Sequence, residues 1–342
     1  MENDKLLIEV EKLIKTTTIK ELAIKLNVSS GTISRWIKLK NVPKNYTFDI
    51  LKLTQDTIDY SIFSSKYKDQ FYTSDETVKV CYDIFEKTLN INKSEYVFIE
   101  PSAGNGSFLN ILPENTISMD IEPKNDKIKK CDYLSWFPED DSKKYIVFGN
   151  PPFGLRGHLA LKFINHSFAF ADYVCFILPQ LFESDGKGSP RKRINGYNLI
   201  KSHKLNSNFY EPNKKKVKIN TIFQIWSKNE VNTNYSISST NISDFKVYSL
   251  SDGGSSSNTR NKNMINHCDI YIPSTCFGAE NMRLYKHFNE LPGKRGYGIV
   301  FNIDKEYYSN KAENILWDKI AFLSTNSAYN LRTSQIINAL EK

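Results

Sequence analysis

Asn150-Pro151-Pro152-Phe153 sets a side-chain amide, two rigid prolines and an aromatic ring in four consecutive residues, directly after the apolar run Ile146-Val147-Phe148. Asn150 Oδ1 and the Pro151 carbonyl are two acceptors close together, and Phe153 offers a flat apolar face. That combination suits a planar heterocycle carrying an exocyclic amino group, each acceptor taking one amino proton while the ring stacks on Phe153. Four residues recur by chance, and a strand that merely ends in Pro-Pro beside a core phenylalanine reads the same. The rest of the chain has to supply the other reactant.

The elements that position these groups follow from the apolar pattern. Ile146 to Phe148, after polar Asp140 to Lys144, reads as a buried parallel strand, and the two prolines forbid both helix and ladder pairing beyond it. The tetrapeptide therefore stands at a strand's carboxyl end, where open α/β sheets bind ligands. Upstream, Tyr96 to Ile99 reads as a second strand, running into Glu100-Pro101-Ser102-Ala103-Gly104-Asn105-Gly106 and then an expected helix. Glycines at 104 and 106 let the backbone pass close beneath a ligand. A third strand, Thr116 to Ile121, ends in Asp120 at about the twenty-residue separation at which a carboxylate grips ribose hydroxyls. Asp132 and Tyr133 follow in the next loop. Each acid alone reads as a turn or a cap, but four such signals in one order fall between residues 100 and 153. A helix over Val78–Leu89 capped by Ser74 or Thr73, a helix over Leu159–Phe170, and strands at Tyr173–Pro179 and Thr221–Trp226 complete this region.

Asn150-Pro151-Pro152-Phe153 resembles the [DNS]-P-P-[YFW] motif of amino-methyltransferases that use S-adenosylmethionine. With the residues before it, the chain resembles the γ group of adenine-N6 DNA methyltransferases over roughly residues 70 to 227. The resemblance implies an α/β fold, a Rossmann-like, mainly parallel seven-stranded sheet between helices, with S-adenosylmethionine as cofactor. It implies that Thr73 binds the donor's carboxylate and that Glu100, Ser102, Gly104 and Gly106 line its methionine part. A carboxylate at Glu100 fits that zwitterion better than a phosphate-cradling lysine, which this turn lacks. By the same resemblance Asp120 takes the ribose, Asp132 and Tyr133 the donor's adenine, and Asn150, Pro151 and Phe153 the flipped target base. The segment Phe209 to Val217 looks like the family's element that stacks a second aromatic on that base, and Tyr210 is chosen over Phe209. Neither a metal nor a covalent nucleophile is required. Two departures stand out: Ser74 follows Thr73 where the family often has proline, and the chain carries an N-terminal helix pair that is not general to the group.

That pair lies in Thr18 to Ile37, where a helix, a tight turn at Asn27-Val28, an N-cap at Ser29 or Ser30 and a second helix resemble a helix-turn-helix of the phage-repressor type. The resemblance points Ser30, Thr32, Ser34 and Arg35 at a major groove. The expected division is 1–54 helix-turn-helix domain, 55–69 polar connector, 70–230 catalytic domain and 231–342 α+β target recognition domain. The chain has 342 residues and a net charge of +8, and residues 187 to 218 hold ten Lys or Arg against the single acid Glu211. Such a patch suits a polyanion, with Lys214, Lys215 and Lys216 as phosphate contacts. Beyond Lys228 the signals thin. Ser251 to Asn258 reads as a loop and Pro292 to Gly298 as a tight basic turn, in which Lys294 and Arg295 either reach DNA or serve as connector.

Five scattered cysteines suit reduced thiols better than a disulfide framework, and His267, Cys268 and Cys276 match no zinc spacing. With no apolar run near the ~18 residues of a membrane span and no basic-apolar leader, a cytoplasmic protein without a membrane partner is expected. Double-stranded DNA, and a companion restriction endonuclease in a restriction-modification or phage setting, are the partners that the resemblance implies. Three other readings share these features: an RNA adenine-N6 methyltransferase, a protein-glutamine methyltransferase, and a DNA-binding regulator built on an inactive methyltransferase fold.

Overall fold

The computed structural model describes residues 2–26, 28–55, 58–59, 63, 70–154, 157–184, 189–205, 208–230, 244–253, 259–323 and 327–341. The chain forms two compact units, Met1–Phe71 and Tyr72–Lys342. Most of the connector expected at 55–69, and Gly254 to Asn258 of the expected loop, lie outside the described residues.

The first unit is helical: α1 (Glu2–Thr16), α2 (Ile19–Lys25), α3 (Ser30–Leu39) and α4 (Thr47–Thr54). Thr18 and Glu21 form a reciprocal capping box at the start of α2, and Ser29 caps α3 by accepting from the Thr32 N–H. Both satisfy donors that a helix start leaves orphaned. Val10, Leu22, Leu26, Ile33 and Ile50 are fully buried between the helices, and the small side chain of Ala23 lets α2 and α3 approach.

The second unit opens with β1 (Tyr72–Thr73), α5 (Asp75–Thr88), β2 (Tyr96–Glu100), β3 (Ile117–Asp120), β4 (Lys129–Lys130), β5 (Lys144–Gly149), α6 (His158–Ser167) and β6 (Tyr173–Pro179). It continues with β7 (Asn198–Leu205), β8 (Asn208–Tyr210), β9 (Lys216–Lys218) and β10 (Thr221–Ser227). Seven of these strands build one sheet in the order β4-β3-β2-β5-β6-β10-β7. Every pairing from β4 to β6 is parallel, whereas β10 is antiparallel to both β6 and β7. Six strands therefore share one direction and β10 opposes them, the mainly parallel sheet expected. β5, β6 and β10 are buried along almost their whole length, as in a sheet covered on both faces. On one face Phe85 of α5 meets Phe98 and Phe148 edge-on, at 5.9 and 5.5 Å between ring centroids. On the other, Ala160, Leu161 and Ile164 of α6 pack with Ile99, Val147, Val174 and Phe176. The two-residue alternation of each strand divides its side chains between these layers.

The helix expected after the glycine turn is a single 3₁₀ turn, Phe108–Asn110. Pro113 follows too soon for a helix to continue, since the residue before a proline is steered away from helical geometry.

The rest of the chain forms β11 (Phe245–Asp252), β12 (Thr259–Arg260), β13 (Ile270–Pro273), β14 (Thr275–Phe277), β15 (Arg295–Phe301), α7 (Lys305–Asn314), α8 (Trp317–Ile320), β16 (Phe322–Leu323), β17 (Ala328–Asn330) and α9 (Thr333–Glu341). An antiparallel sheet β12-β11-β15-β13 packs Ile272 and Ile299 against Trp317, Ile336 and Leu340, and a smaller sheet runs β14-β17-β16. This region is bonded to the large sheet's flank: the Leu323 N–H donates to Gln180 Oε1 at 2.8 Å and Arg332 Nε to Ser184 Oγ at 3.0 Å.

Parts of two segments expected as loops are strand here. Ser251 and Asp252 finish β11, and Arg295 to Gly298 begin β15. The glycines of β15 serve close packing: a Cβ on Gly298 would lie 2.4 Å from Cys268 Sγ and 2.8 Å from Leu250 Cδ1. Gly298→Ala is therefore expected to lower stability by about 1–3 kcal/mol through overpacking, read as a reduced Tm against the parent chain.

Candidate active site

The chain leaves β2 toward β3 on one side of the sheet, while β5 continues to β6 on the other, so the loops after β2 and β5 part and leave a crevice at their carboxyl ends. Both loops carry the residues singled out above. Glu100, the last residue of β2, is 1% exposed. In the next turn Ser102 Oγ donates to the Asn150 backbone carbonyl at 3.1 Å, tying the two loops together. The Gly104 N–H donates to Asp120 Oδ2 at 2.8 Å and the Glu122 N–H to Asp120 Oδ1 at 2.7 Å, so the acid at the end of β3 holds the glycine turn. Gly104 adopts φ +54°, and a Cβ there would lie 3.1 Å from the Tyr72 ring. Gly106 also has positive φ.

Asn150 Nδ2 donates to Thr73 Oγ1 at 3.2 Å, joining β1 to the end of β5. Among the described residues three buried side-chain polar atoms lack a partner, and two of them, Asn150 Oδ1 and Glu100 Oε2, belong to this crevice; the third is Ser189 Oγ. Leaving such an atom unmade costs about 1–3 kcal/mol. An orphan in a native fold calls for an explanation, such as a bound partner. Burial pushes the Glu100 carboxyl well above the usual carboxylate range, and the nearby Asp120 charge pushes it further. Asp120 is raised as well, chiefly by burial, against the lowering effect of its two backbone N–H bonds. In both acids burial favours the neutral form over the carboxylate.

Beside the crevice β1, β8 and β9 form a three-stranded antiparallel sheet. Lys216, Tyr210 and Tyr72 stand in one cross-strand row, and Val217, Phe209 and Thr73 in the next. Phe209 and Thr73 are buried, whereas Tyr210 and Tyr72 are half-buried and Lys216 is exposed. Lys214, at φ +63°, and Lys215 are exposed in the turn that joins β8 to β9. Phe153 packs at the edge of the main core, and its carbonyl accepts from the Leu159 and Ala160 N–H groups at the start of α6.

Tyr133 lies in the core. It was expected against the donor's adenine, but it is 1% exposed, donates to or accepts from Ser167 Oγ at 2.6 Å and lies against Phe163 and His166. The cause is Asp132, whose Oδ1 accepts from the Leu134 N–H and caps a 3₁₀ turn that rolls Tyr133 into the core beneath α6. Tyr72 was overlooked. It covers Gly104, and burial together with the charges of Asp120 and Glu122 raises its hydroxyl pKa. Its one sequence signal was an aromatic directly before Thr73.

Ser30, Thr32, Ser34 and Arg35 lie on α3 of the first unit; Ser30, Ser34 and Arg35 are exposed, and the Thr32 hydroxyl pairs with Ser29 Oγ at 2.8 Å. Lys294 and Arg295 are exposed at the start of β15, and Arg295 and Arg260 both stand opposite Ser251, on either side of β11. Among the described residues no group of three or more His, Cys, Asp or Glu gathers as a metal site, no helix is long and apolar enough to cross a membrane, and all five cysteines are free thiols.

No protein-family model and no curated protein matches the chain. Among solved structures it is similar to a protein of Pyrococcus horikoshii assigned provisionally as an RNA methyltransferase (17% identity, 53% of this chain and 97% of that one, TM-score 0.37). It is also similar to the 23S rRNA methyltransferase ErmE (12% identity, 46% of this chain and 69% of that one, TM-score 0.31). A third is a SAM-dependent methyltransferase of Anabaena variabilis (12% identity, 48% of this chain and 90% of that one, TM-score 0.30). At these values the likenesses carry no weight beside the geometry of the site itself.

The raised Glu100 pKa has a stability consequence. Above its ordinary value of 4.5 the unfolded chain releases a proton that the folded protein keeps, so stability falls as pH rises until the folded pKa is passed. Glu100→Gln should lose this pH dependence and melt at or above the parent's Tm near neutral pH, in thermal melts from about pH 5 to 8.

Proposed function

We propose that the chain is an S-adenosylmethionine-dependent methyltransferase acting on the exocyclic N6 of adenine in DNA. The observation that carries the reading is Asn150 Oδ1, a buried acceptor without a partner, at the carboxyl end of β5 beside the Pro151 carbonyl. Glu100 with its unpartnered oxygen, the glycine turn at 104 and 106 and Asp120 suit the zwitterionic end and ribose of the cofactor, and the turn has no lysine for a pyrophosphate. When bound, the cofactor supplies an electrophilic methyl group on a sulfonium.

The chain's own task is to make a poor nucleophile competent. The lone pair of an adenine amine is delocalised into its ring, and acceptors on both N–H groups draw the nitrogen toward sp3 geometry. Asn150 Oδ1 and the Pro151 carbonyl are assigned that work. Phe153 takes one face of the base and Tyr210 the other, which offsets part of the few kcal/mol, roughly, that extruding a base costs. Holding amine and methyl in line supplies much of the remaining acceleration.

Duplex DNA is preferred over RNA because of the helix pair α2–α3 and the separate cationic elements at Lys214–Lys216 and at Lys294 and Arg295. One copy of such a helix pair offers few base contacts, so its assigned role is to add affinity or partial-site recognition to that of the region from 231 onward. A companion restriction endonuclease is the protein partner that this reading implies.

Transfer of labelled methyl from S-adenosylmethionine to duplex DNA, single-stranded DNA and RNA tests the proposal. N6-methyladenine in duplex DNA is expected. Incorporation into RNA alone would move the assignment to RNA, and donor binding without any transfer would favour a regulator. Asn150→Ala and Phe153→Ala should each abolish transfer while calorimetry finds donor affinity nearly unchanged. Replacing Lys214, Lys215 and Lys216 together by Ala should weaken DNA binding at every sequence and flatten the slope of log K against log salt by about 0.9 per lost phosphate contact.

A further inference from the structure

We propose that Thr73 is a positioning residue for Asn150: the Thr73 hydroxyl oxygen accepts from Asn150 Nδ2 and thereby keeps Asn150 Oδ1 turned toward the target amine; this deepens the functional reading above and rests on it. The side-chain amide of asparagine has two nearly isosteric orientations, one presenting an acceptor and the other an NH2. Only the first can activate an amine, because the second sets donor against donor. The orientation therefore has to be imposed by a neighbour.

Thr73 Oγ1 is 3.2 Å from Asn150 Nδ2, and Oδ1 is buried without a partner. The backbone of Asn150 is held from the opposite loop by Ser102 Oγ at 3.1 Å, which leaves rotation of the amide as the freedom still to be restricted. Thr73 is well suited to restrict it. It is 6% exposed, its β-branched side chain is stiff about χ1, and its strand is registered against β8 with Thr73 opposite the buried Phe209. The same short sheet carries Tyr72, Tyr210 and Lys216 in the adjacent row, so the proposed base-stacking residue and the basic hairpin share a scaffold with the group that orients Asn150.

The resemblance assigns Thr73 to the donor's carboxylate, which predicts a different phenotype. A donor ligand changes affinity for the cofactor, whereas a positioning residue changes the chemical step once the cofactor is saturating. Thr73→Val keeps the shape and removes the oxygen; Thr73→Ser keeps the oxygen and removes the methyl. In single-turnover methylation of duplex DNA at saturating S-adenosylmethionine, the valine variant should be slower by about tenfold or more, in the range that small misplacements near a reacting centre produce. The serine variant should recover most of the parental rate. A second readout needs no activity: with 15N-asparagine labelling, the Asn150 side-chain NH2 signal, identified by its loss in Asn150→Ala, should shift in Thr73→Val and stay near its parental position in Thr73→Ser. A valine variant with the parental single-turnover rate and an unmoved NH2 signal would overturn the proposal, even if its donor affinity had dropped. If the parent chain methylates no nucleic acid, the functional reading fails, and the NH2 signal still decides whether Thr73 holds the amide.

Discussion

The parallel pairing of β2 with β5 is the constraint on which the site depends. Ile99 stands opposite Val147, so the two strands end almost together, and the chain then leaves them in opposite directions across the sheet. Glu100 and the glycine turn meet Asn150 only because of that register. A slip of β5 by one residue would turn Phe148 from the α5 face to the α6 face, away from Phe85, and bury the wrong set. The two-layer cover of α5 and α6 thus fixes the spacing of groups that lie fifty residues apart in the chain. The Ser102–Asn150 bond closes the arrangement across the crevice, and the Gly104–Asp120 bond ties in the third strand.

The crevice itself is costly. Glu100 and Asp120 are held where burial disfavours their charge, and Asn150 Oδ1 and Glu100 Oε2 have given up water without gaining a protein partner. With about 1–3 kcal/mol for each unmet polar group and only about 5–15 kcal/mol of net stability in an ordinary protein, such features persist where the surrounding packing is strong. Here it is: β5, β6 and β10 are buried along almost their whole length, and Phe85, Phe98 and Phe148 interlock beneath the site. An acceptor with no partner thus stands beside two acids whose charge burial disfavours.

The cationic elements are built differently. Lys214 to Lys216, Lys294, Arg295 and Arg35 are exposed and stand on hairpin, strand and helix frameworks whose cores are formed without them. Exposed charges of this kind add little to stability. They are open to solvent, and the β1-β8-β9 sheet brings one such group next to the crevice, where Thr73 reaches Asn150.

Local physics made much of this readable from the chain alone. The caps of α2 and α3 use residues within three positions of each other, and the buried strands announce themselves as continuous apolar runs ended by glycine or proline. Asn150 and Glu100 stand out in the sequence because strand ends carry that signal. What tertiary packing decided lies in contacts between distant residues. Tyr133 is a core residue because α6 covers it, and no nearby residue says so. Arg295 to Gly298 imitate a turn, since the reason for the glycines is the approach of Cys268 and Ile272 from a neighbouring segment. The Thr73–Asn150 bond spans 77 residues. Its existence follows from a sheet register, and register between distant strands is set by which faces can be buried together, a property of the whole core that no short stretch of sequence contains.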